Sequence, residues 1–315
     1  MNDASNPELA RAVLMVAPEH FAFNPETAED NPYMSSQRAE VERALAEFDT
    51  ARSALDAMGV EVVEVRGHAE PLPDAVFPNN WISTDSDGLI TVFPMKHPSR
   101  RRETEQLPAA IRALAHAGFR IDGVLRLDQH TSSAALEGTG SLVLDRVSSA
   151  VYAALSPRTD AALVSTYARL RGYRDVELFE ALGRASELVY HTNVVMGLGR
   201  GFAVICSDAI EDRSQRGRVL ERLHRTREVI EVDRRAMNES FCCNLIGVES
   251  RRSTQAIVLS RTALDGFTPS ARKRLERFGD FCVLDIPTIE RVGGGSARCM
   301  VAEIFLPKAD DGRSR

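Results

Sequence analysis

The sequence predicts an α/β protein built as a ring of five repeated units. Three observations point that way. Glycines that stop helical stretches just before strand-like segments recur at a regular interval. A polar-to-apolar signature opens a strand in every repeat. The last repeat lacks a second strand, which the N-terminus can supply.

The helical stretches come first. Residues 38–58 carry apolar side chains at Val41, Ala44, Leu45, Phe48, Leu55 and Met58, then stop at Gly59 before Val60 to Val63. Residues 99–117 stop at Gly118 before Phe119, Arg120 and Ile121, and residues 159–171 stop at Gly172 before Tyr173 and Val176. Residues 268–278 stop at Gly279 before Phe281, Cys282 and Val283. Glycine suits a helix end because it enters the left-handed region without a Cβ clash. Ser99, Thr159 and Thr268 are the expected N-caps, each with a hydroxyl for a free first-turn amide. The glycines lie 59, 54 and 107 residues apart. The double interval leaves room for a further helix at 213–225, which runs without a glycine into Glu228, Val229 and Ile230.

The strand signatures are FPNNWIS (77–83), LEGTGSLVL (136–144), YHTNVVMGL (190–198), FCCNLIGVE (241–249) and ARCMVAEIF (297–305). Most lead through a turn into a second strand, as at Asp87-Gly88 before Leu89 to Val92, or Gly199 to Gly201 before Phe202 to Ile205. Residues 13–17 would close the ring as the missing strand of the fifth repeat, and a polar tail follows at 308–315. The whole chain, 1–315, is thus expected to be a single domain. An ordinary two-domain α/β chain with coincidental spacing is the alternative.

Composition narrows the function classes. Of 315 residues 43% are hydrophobic and 27% charged, which is material for a large core. The 39 basic and 45 acidic residues leave a net charge of −6 without any basic block. Such a chain is a poor ligand for nucleic acid or anionic membranes. The N-terminus has no basic start and too short an apolar run for a signal peptide, and no stretch is long enough to span a bilayer. Five cysteines, an odd number set mostly in apolar runs, suggest reduced thiols and a cytoplasmic setting.

If each signature faces the axis, the repeats bring together a thiol (Cys299), an imidazole (His191), an acid (Glu137) and two amides (Asn80 and Asn193). That inventory suits covalent hydrolysis: a nucleophile, an acid/base and a polar clamp for substrate. Asn79 and Gly295 are expected to bind substrate beside the two amides. The run GGGSAR (293–298) before Cys299 lets backbone amides approach a developing negative charge. It is no phosphate loop, since no Gly-Lys-Ser/Thr follows and a strand comes next. Arg298 is expected to point away from Cys299. Cys206, Cys242, Cys243 and Cys282 read as core residues, and His68, His97, His116 and His224 as surface residues. GLGRG (197–201) reads as hairpin turn. No metal site is expected, because neither HExxH nor paired CxxC occurs, and no GxSxG elbow is present.

These signatures resemble the guanidino-group modifying superfamily, which includes arginine deiminases, dimethylarginine hydrolases and amidinotransferases. The resemblance covers about residues 13–306 and is most specific at GGGSARCM (293–300) and EGTGS (137–141). It implies the pentein fold, a five-bladed α/β propeller with pseudo-five-fold symmetry. It also implies Cys299 as nucleophile, His191 as general acid/base, and Glu137 as a guanidinium ligand that supports His191. FPNNW, LEGTGSLV, HTNVVM and GGGSARCMVAEIF together are most similar to bacterial citrulline-utilisation hydrolases. Deiminases place Asp where this chain has Asn80 and Asn193.

An Asp carboxylate only accepts hydrogen bonds and suits a cationic guanidinium, whereas an amide both donates and accepts, like a neutral ureido group. The expected reaction is therefore cleavage of the ureido C–N bond of citrulline to ornithine, ammonia and carbon dioxide through a thioester on Cys299, with no cofactor. Arginine deimination or dihydrolysis, dimethylarginine-type hydrolysis, amidino transfer, and a silent ligand-binding propeller are the alternatives. The expected partner is a small amino-acid substrate, and a homodimer is possible.

Overall fold

The computed structural model describes residues 7–36, 41–67, 71–129 and 134–309. Expectations for His68, for residues 38–40 and for the tail beyond 309 lie outside the described residues. Fifteen strands among the described residues form five three-stranded sheets. In chain order they are β1 (Ala12–Val16), β2 (Glu61–Val65), β3 (Ile82–Thr84), β4 (Leu89–Val92), β5 (Gly123–Arg126), β6 (Val143–Asp145), β7 (Ala150–Ala154) and β8 (Asp175–Phe179). The rest are β9 (Met196–Gly199), β10 (Phe202–Ile205), β11 (Glu228–Glu231), β12 (Ile246–Val248), β13 (Ala256–Ser260), β14 (Asp280–Leu284) and β15 (Ala302–Ile304).

Four sheets share one plan: a hairpin pairs the first two strands antiparallel, and a helix crosses back to add the third in parallel. The fifth has the same plan with the chain ends exchanged. β15 pairs antiparallel with β1, and β1 pairs parallel with β2. The N-terminal strand therefore fills the place left vacant in the last repeat.

Each sheet buries one face against its helix. In Val41–Ala57 the buried residues Ala44, Phe48, Ala51 and Leu55 recur every three or four positions and pack with Val13, Met15, Cys282 and Leu284. Each fully buried Phe or Leu there contributes about 1.5–3 kcal/mol by leaving water. Among the described residues no helix is long and apolar enough to cross a membrane.

The structure corrects several local expectations. Residues 98–116 are broken into Pro98–Arg101, Arg102–Gln106 and Leu107–His116. Ser99 is not an N-cap: its hydroxyl accepts from Asn24 and its amide donates to Glu26. Asp160, one residue past Thr159, caps Ala161–Leu170 by accepting from the Leu163 amide at 2.9 Å. Thr268 does cap its helix, through the Ala271 amide. The strand expected at Phe119 to Ile121 begins later, at Gly123, because the Arg120 and Asp122 amides bond to the Pro307 and Gly88 carbonyls outside the ladder. Gly59, Gly118 and Gly172 hold the expected positive φ, but Gly279 does not. A Cβ on Gly279 would lie 2.3 Å from the Gln255 carbonyl oxygen, so that glycine serves close approach instead. His97 is buried, not superficial, with Nε2 3.3 Å from Asp30 Oδ1.

Candidate active site

Each expected site residue precedes its strand in a short helical turn or bend, not on the strand itself. Pro78–Asn80 leads into β3, Gly138–Ser141 into β6 and Thr192–Val195 into β9. Glu137 and His191 occupy the capping positions of the second and third of these turns. Hydroxyls lace successive turns together. Thr139 donates to the Asn79 carbonyl at 3.3 Å and Thr192 to the Ser141 carbonyl at 2.5 Å. Three repeats thereby deliver Asn80, Glu137 and His191 to one place, while Cys299 arrives on the bend between the helix Pro287–Gly293 and β15.

His191 Nε2 lies 2.8 Å from Glu137 Oε2, and both side chains are buried. The other carboxylate oxygen accepts the Lys96 amide at 3.0 Å. Burial alone would raise the Glu137 carboxyl. The Arg158 guanidinium at 3.5 Å, the His191 hydrogen bond and Arg100 at 4.0 Å outweigh it and hold Glu137 well below the usual carboxylate range. Burial also pushes the His191 imidazole below its ordinary value, against the pull of Glu137. An ionised carboxylate only accepts, so Nε2 carries the imidazole proton and Nδ1 is the basic nitrogen. Gly140 makes room for the ring, since a Cβ there would sit 2.8 Å from Nδ1.

Two side-chain amides face the Cys299 sulfur. Asn244 Nδ2 lies 3.3 Å from Sγ and Asn193 Nδ2 lies 3.5 Å away. The Oδ1 of Asn193 is buried without a hydrogen-bond partner. The Arg298 side chain points away from Cys299, as its neighbouring position implies, and binds the Val301 carbonyl and Glu303. Cys206, Cys242, Cys243 and Cys282 are buried, and burial pushes their thiols up, to about 12 for Cys242 and Cys282.

Cys299, His191, Asn80 and Gly295 line one cavity of about 20 Å³. Asn79, Asn193 and Glu137 do not: the Asn79 carbonyl takes Thr139 and its Oδ1 takes Asn80, Asn193 lies behind the sulfur, and Glu137 is held behind His191. The cavity also gathers residues that sequence reasoning missed: Asp74, Arg100 and Arg158, with Thr27 and Asn31 from the segment between β1 and the helix Val41–Ala57. Asp74 Oδ2 accepts from Asn24 and Thr27, while Oδ1 is unpaired. Arg100 forms a two-point pair with Glu103 and also donates to Asn80 Oδ1 at 2.6 Å. Arg158 binds Asp30 and the Thr27 carbonyl and lies over the Tyr190 ring. Both arginines fall outside the repeat signatures, among many surface arginines, so no pattern distinguishes them. Asp74, three residues before the FPNN segment, had proximity as its only signal. Among the described residues no group of three metal-ligating side chains converges.

The family described as N,N dimethylarginine dimethylhydrolase, eukaryotic, matches residues 17–306, which includes every one of these site residues. The chain belongs to that family. It is a hydrolase of the guanidino-group type, acting on non-peptide C–N bonds. No curated protein sequence matches it. Solved structures share its fold. The substrate-bound N-terminal domain of ArgZ, an arginine dihydrolase from the ornithine-ammonia cycle in cyanobacteria, aligns with a TM-score of 0.73 at 18% identity, over 94% of this chain and 98% of that one. AgrE with ornithine and NAD+ aligns at 0.72 and 19%, over 96% of this chain and 40% of its own length. A dimethylarginine dimethylaminohydrolase adduct with S-methyl-L-thiocitrulline aligns at 0.64 and 14%, over 94% and 100%. The fold is therefore that of the pentein hydrolases.

Proposed function

We propose that the protein hydrolyses the ureido C–N bond of citrulline, and that its five sheets are the blades of a single closed propeller holding one active site. The observation that carries the substrate reading is the orientation of Asn80. Arg100 can only donate, so it takes the amide oxygen and leaves Asn80 Nδ2 with one hydrogen on Asn79 Oδ1 and one to spare. A guanidinium has only donors and cannot use that hydrogen, whereas a ureido oxygen can. Asn193 supplies the complement, an unpaired Oδ1 on the amide whose Nδ2 faces the sulfur, for a ureido NH₂. Glu137 already answers two guanidinium groups and His191, so it has little spare charge for a third cation.

The amino-acid end of the substrate finds a partner in the same cavity. The unpaired Asp74 Oδ1 suits an α-ammonium. A space of about 20 Å³ holds about one water, so the cavity must widen to admit a substrate.

In this mechanism neutral His191 takes the Cys299 thiol proton on Nδ1, and the imidazolium is balanced by Glu137. The thiolate bonds to the ureido carbon, and the displaced π pair moves to oxygen. Collapse expels one nitrogen, which leaves with the proton from His191. His191 then deprotonates water, which frees Cys299; the carbamate released or left on the substrate decomposes to ammonia or ornithine and carbon dioxide. Net, one water converts citrulline to ornithine, ammonia and carbon dioxide.

A second reading is hydrolysis of arginine or a methylated arginine, favoured by Asp74 if its free oxygen faces the guanidinium instead of the α-ammonium. Product release from citrulline, arginine and dimethylarginine by the purified protein tests the two readings.

A further inference from the structure

We propose that Asn244 is a catalytic residue that presents a fixed N–H donor to the Cys299 sulfur and so favours its thiolate form. The inference rests on Cys299 being the nucleophile but not on which substrate it attacks.

The Asn244 amide is wholly buried and its orientation is dictated by its neighbours. Its Oδ1 accepts the Arg298 backbone amide at 3.0 Å, and its Nδ2 donates to the Asn193 carbonyl at 3.1 Å. A backbone N–H only donates and a carbonyl only accepts, so flipping the side chain would break both bonds. The second hydrogen of Nδ2 is thereby directed at Cys299 Sγ, 3.3 Å away. The reverse contact, in which the thiol donates to Asn244 Oδ1, spans 3.6 Å and reaches an oxygen that already serves Arg298. The anchoring favours a sulfur that accepts, and hydrogen bonds to a charged acceptor are the stronger kind.

The backbone is arranged for this placement. Phe241, three residues earlier, adopts a left-handed φ of 53° that non-glycine residues rarely take, and its carbonyl accepts the Asn244 amide at 2.8 Å. Asn244 also joins three parts of the site: its own turn before β12, the carbonyl of Asn193, and the residue before the nucleophile. In the attack the sulfur lone pair forms the bond to the substrate carbon, and the thiol proton passes to His191 Nδ1. Asn244 holds the sulfur ready and gives up no proton.

The test is a thiolate titration by ultraviolet absorbance, taken as the difference between the protein and its Cys299→Ser form, with no substrate present. Asn244→Asp keeps the shape and the acceptor for the Arg298 amide but turns an acceptor toward the sulfur. Asn244→Ala removes both. If Asn244 donates to the sulfur, the Cys299 midpoint rises by about one pH unit in uncharged Asn244→Ala and further in Asn244→Asp, whose carboxylate adds like charge. A midpoint in Asn244→Ala equal to wild type would overturn the proposal, because a rise confined to Asn244→Asp follows from its charge alone. Should Asn244→Ala not fold, uncharged Asn244→Leu, of similar size, is read by the same criterion. A protein that ignores citrulline but passes this titration refutes the substrate reading and leaves the role of Asn244 intact.

Discussion

Arg100 Nη1 donates to Asn80 Oδ1 across 2.6 Å, with both side chains buried. The bond fixes which end of the Asn80 amide faces Arg100, and it draws its strength from a guanidinium that Glu103, Asp74 and Glu137 keep charged in spite of burial. On the proposed reading Asn80 and Asn193 divide the work of recognition. One has a donor to spare and the other an acceptor.

Changing both amides to carboxylates should reverse that recognition. In Asn80→Asp/Asn193→Asp the Arg100 bond survives, but the spare donor is replaced by an acceptor. Asn80→Asp loses the donor that the ureido oxygen needs, at about 1–3 kcal/mol, while Asn193→Asp keeps its acceptor, so citrulline turnover should fall by roughly 10–10²-fold in kcat/KM. The preference for citrulline over arginine should narrow or invert. New negative charge near Glu137 limits the gain by raising carboxyl pKa values. Parallel kinetics on both substrates give the answer, and an unchanged ratio would remove the amides from the account of specificity.

Cys299→Ser should lack measurable turnover, because a hydroxyl at its ordinary pKa is a far weaker nucleophile than a thiolate. Mass spectrometry of wild-type enzyme quenched during turnover should find the adduct on the peptide carrying Cys299. An adduct on Cys282 instead, or activity in Cys299→Ser, would assign the chemistry elsewhere.

For the buried pair, His191→Ala should lose about 10²–10⁴-fold in kcat while remaining folded. Glu137→Gln should be impaired as well, since an amide cannot balance an imidazolium. It should also be less stable, because Arg158 and Arg100 lose a shared carboxylate in a buried setting. Kinetics and thermal melts of the two variants separate these effects. Normal kcat with only a raised KM in both would place them in binding alone.

Acid should destabilise the protein in two stages of the same sign. His191 is held below its ordinary value of 6.5, so the unfolded chain binds a proton there before the folded one does, and stability falls as pH drops below about 6.5. Glu137 is held below 4.5, so its contribution is complete above that pH and is lost as pH falls toward its depressed folded value. Tm measured from pH 7 downward should therefore decline, and the decline between about pH 6.5 and 5 should be shallower in His191→Gln. Equal slopes in the two proteins would show that His191 does not titrate in this way.

The repeat was legible because helix stops and sheet strands leave local marks. Gly59, Gly118 and Gly172 adopt the conformation that only glycine takes readily, and β1, β2, β8, β11 and β14 lie where apolar runs predicted them. That Cys299 and His191 share a cavity and Glu137 bonds to His191 was legible because each lies near the start of a signature, even though each precedes its strand by a bend or a helical turn. Arg100, Arg158, Asp74 and Asn244 were not legible as site residues, for a physical reason. Their importance lies in which atom each leaves free or occupies, as with Arg100 on the Asn80 oxygen and Asn244 on the sulfur, and such pairings join residues 20 and 55 positions apart. His97 was misread because a lone histidine after a lysine looks solvated, while its partner Asp30 comes from 67 residues away.

The central claim is that this site handles a neutral ureido group, and the ratio of kcat/KM for citrulline to that for arginine measures it most directly. The donor left free on Asn80 requires a ratio well above one, on the order of 10–10², since the Asn193 acceptor serves either substrate. Faster turnover of arginine than of citrulline by the wild-type protein would contradict the ureido account and leave guanidino hydrolysis in its place.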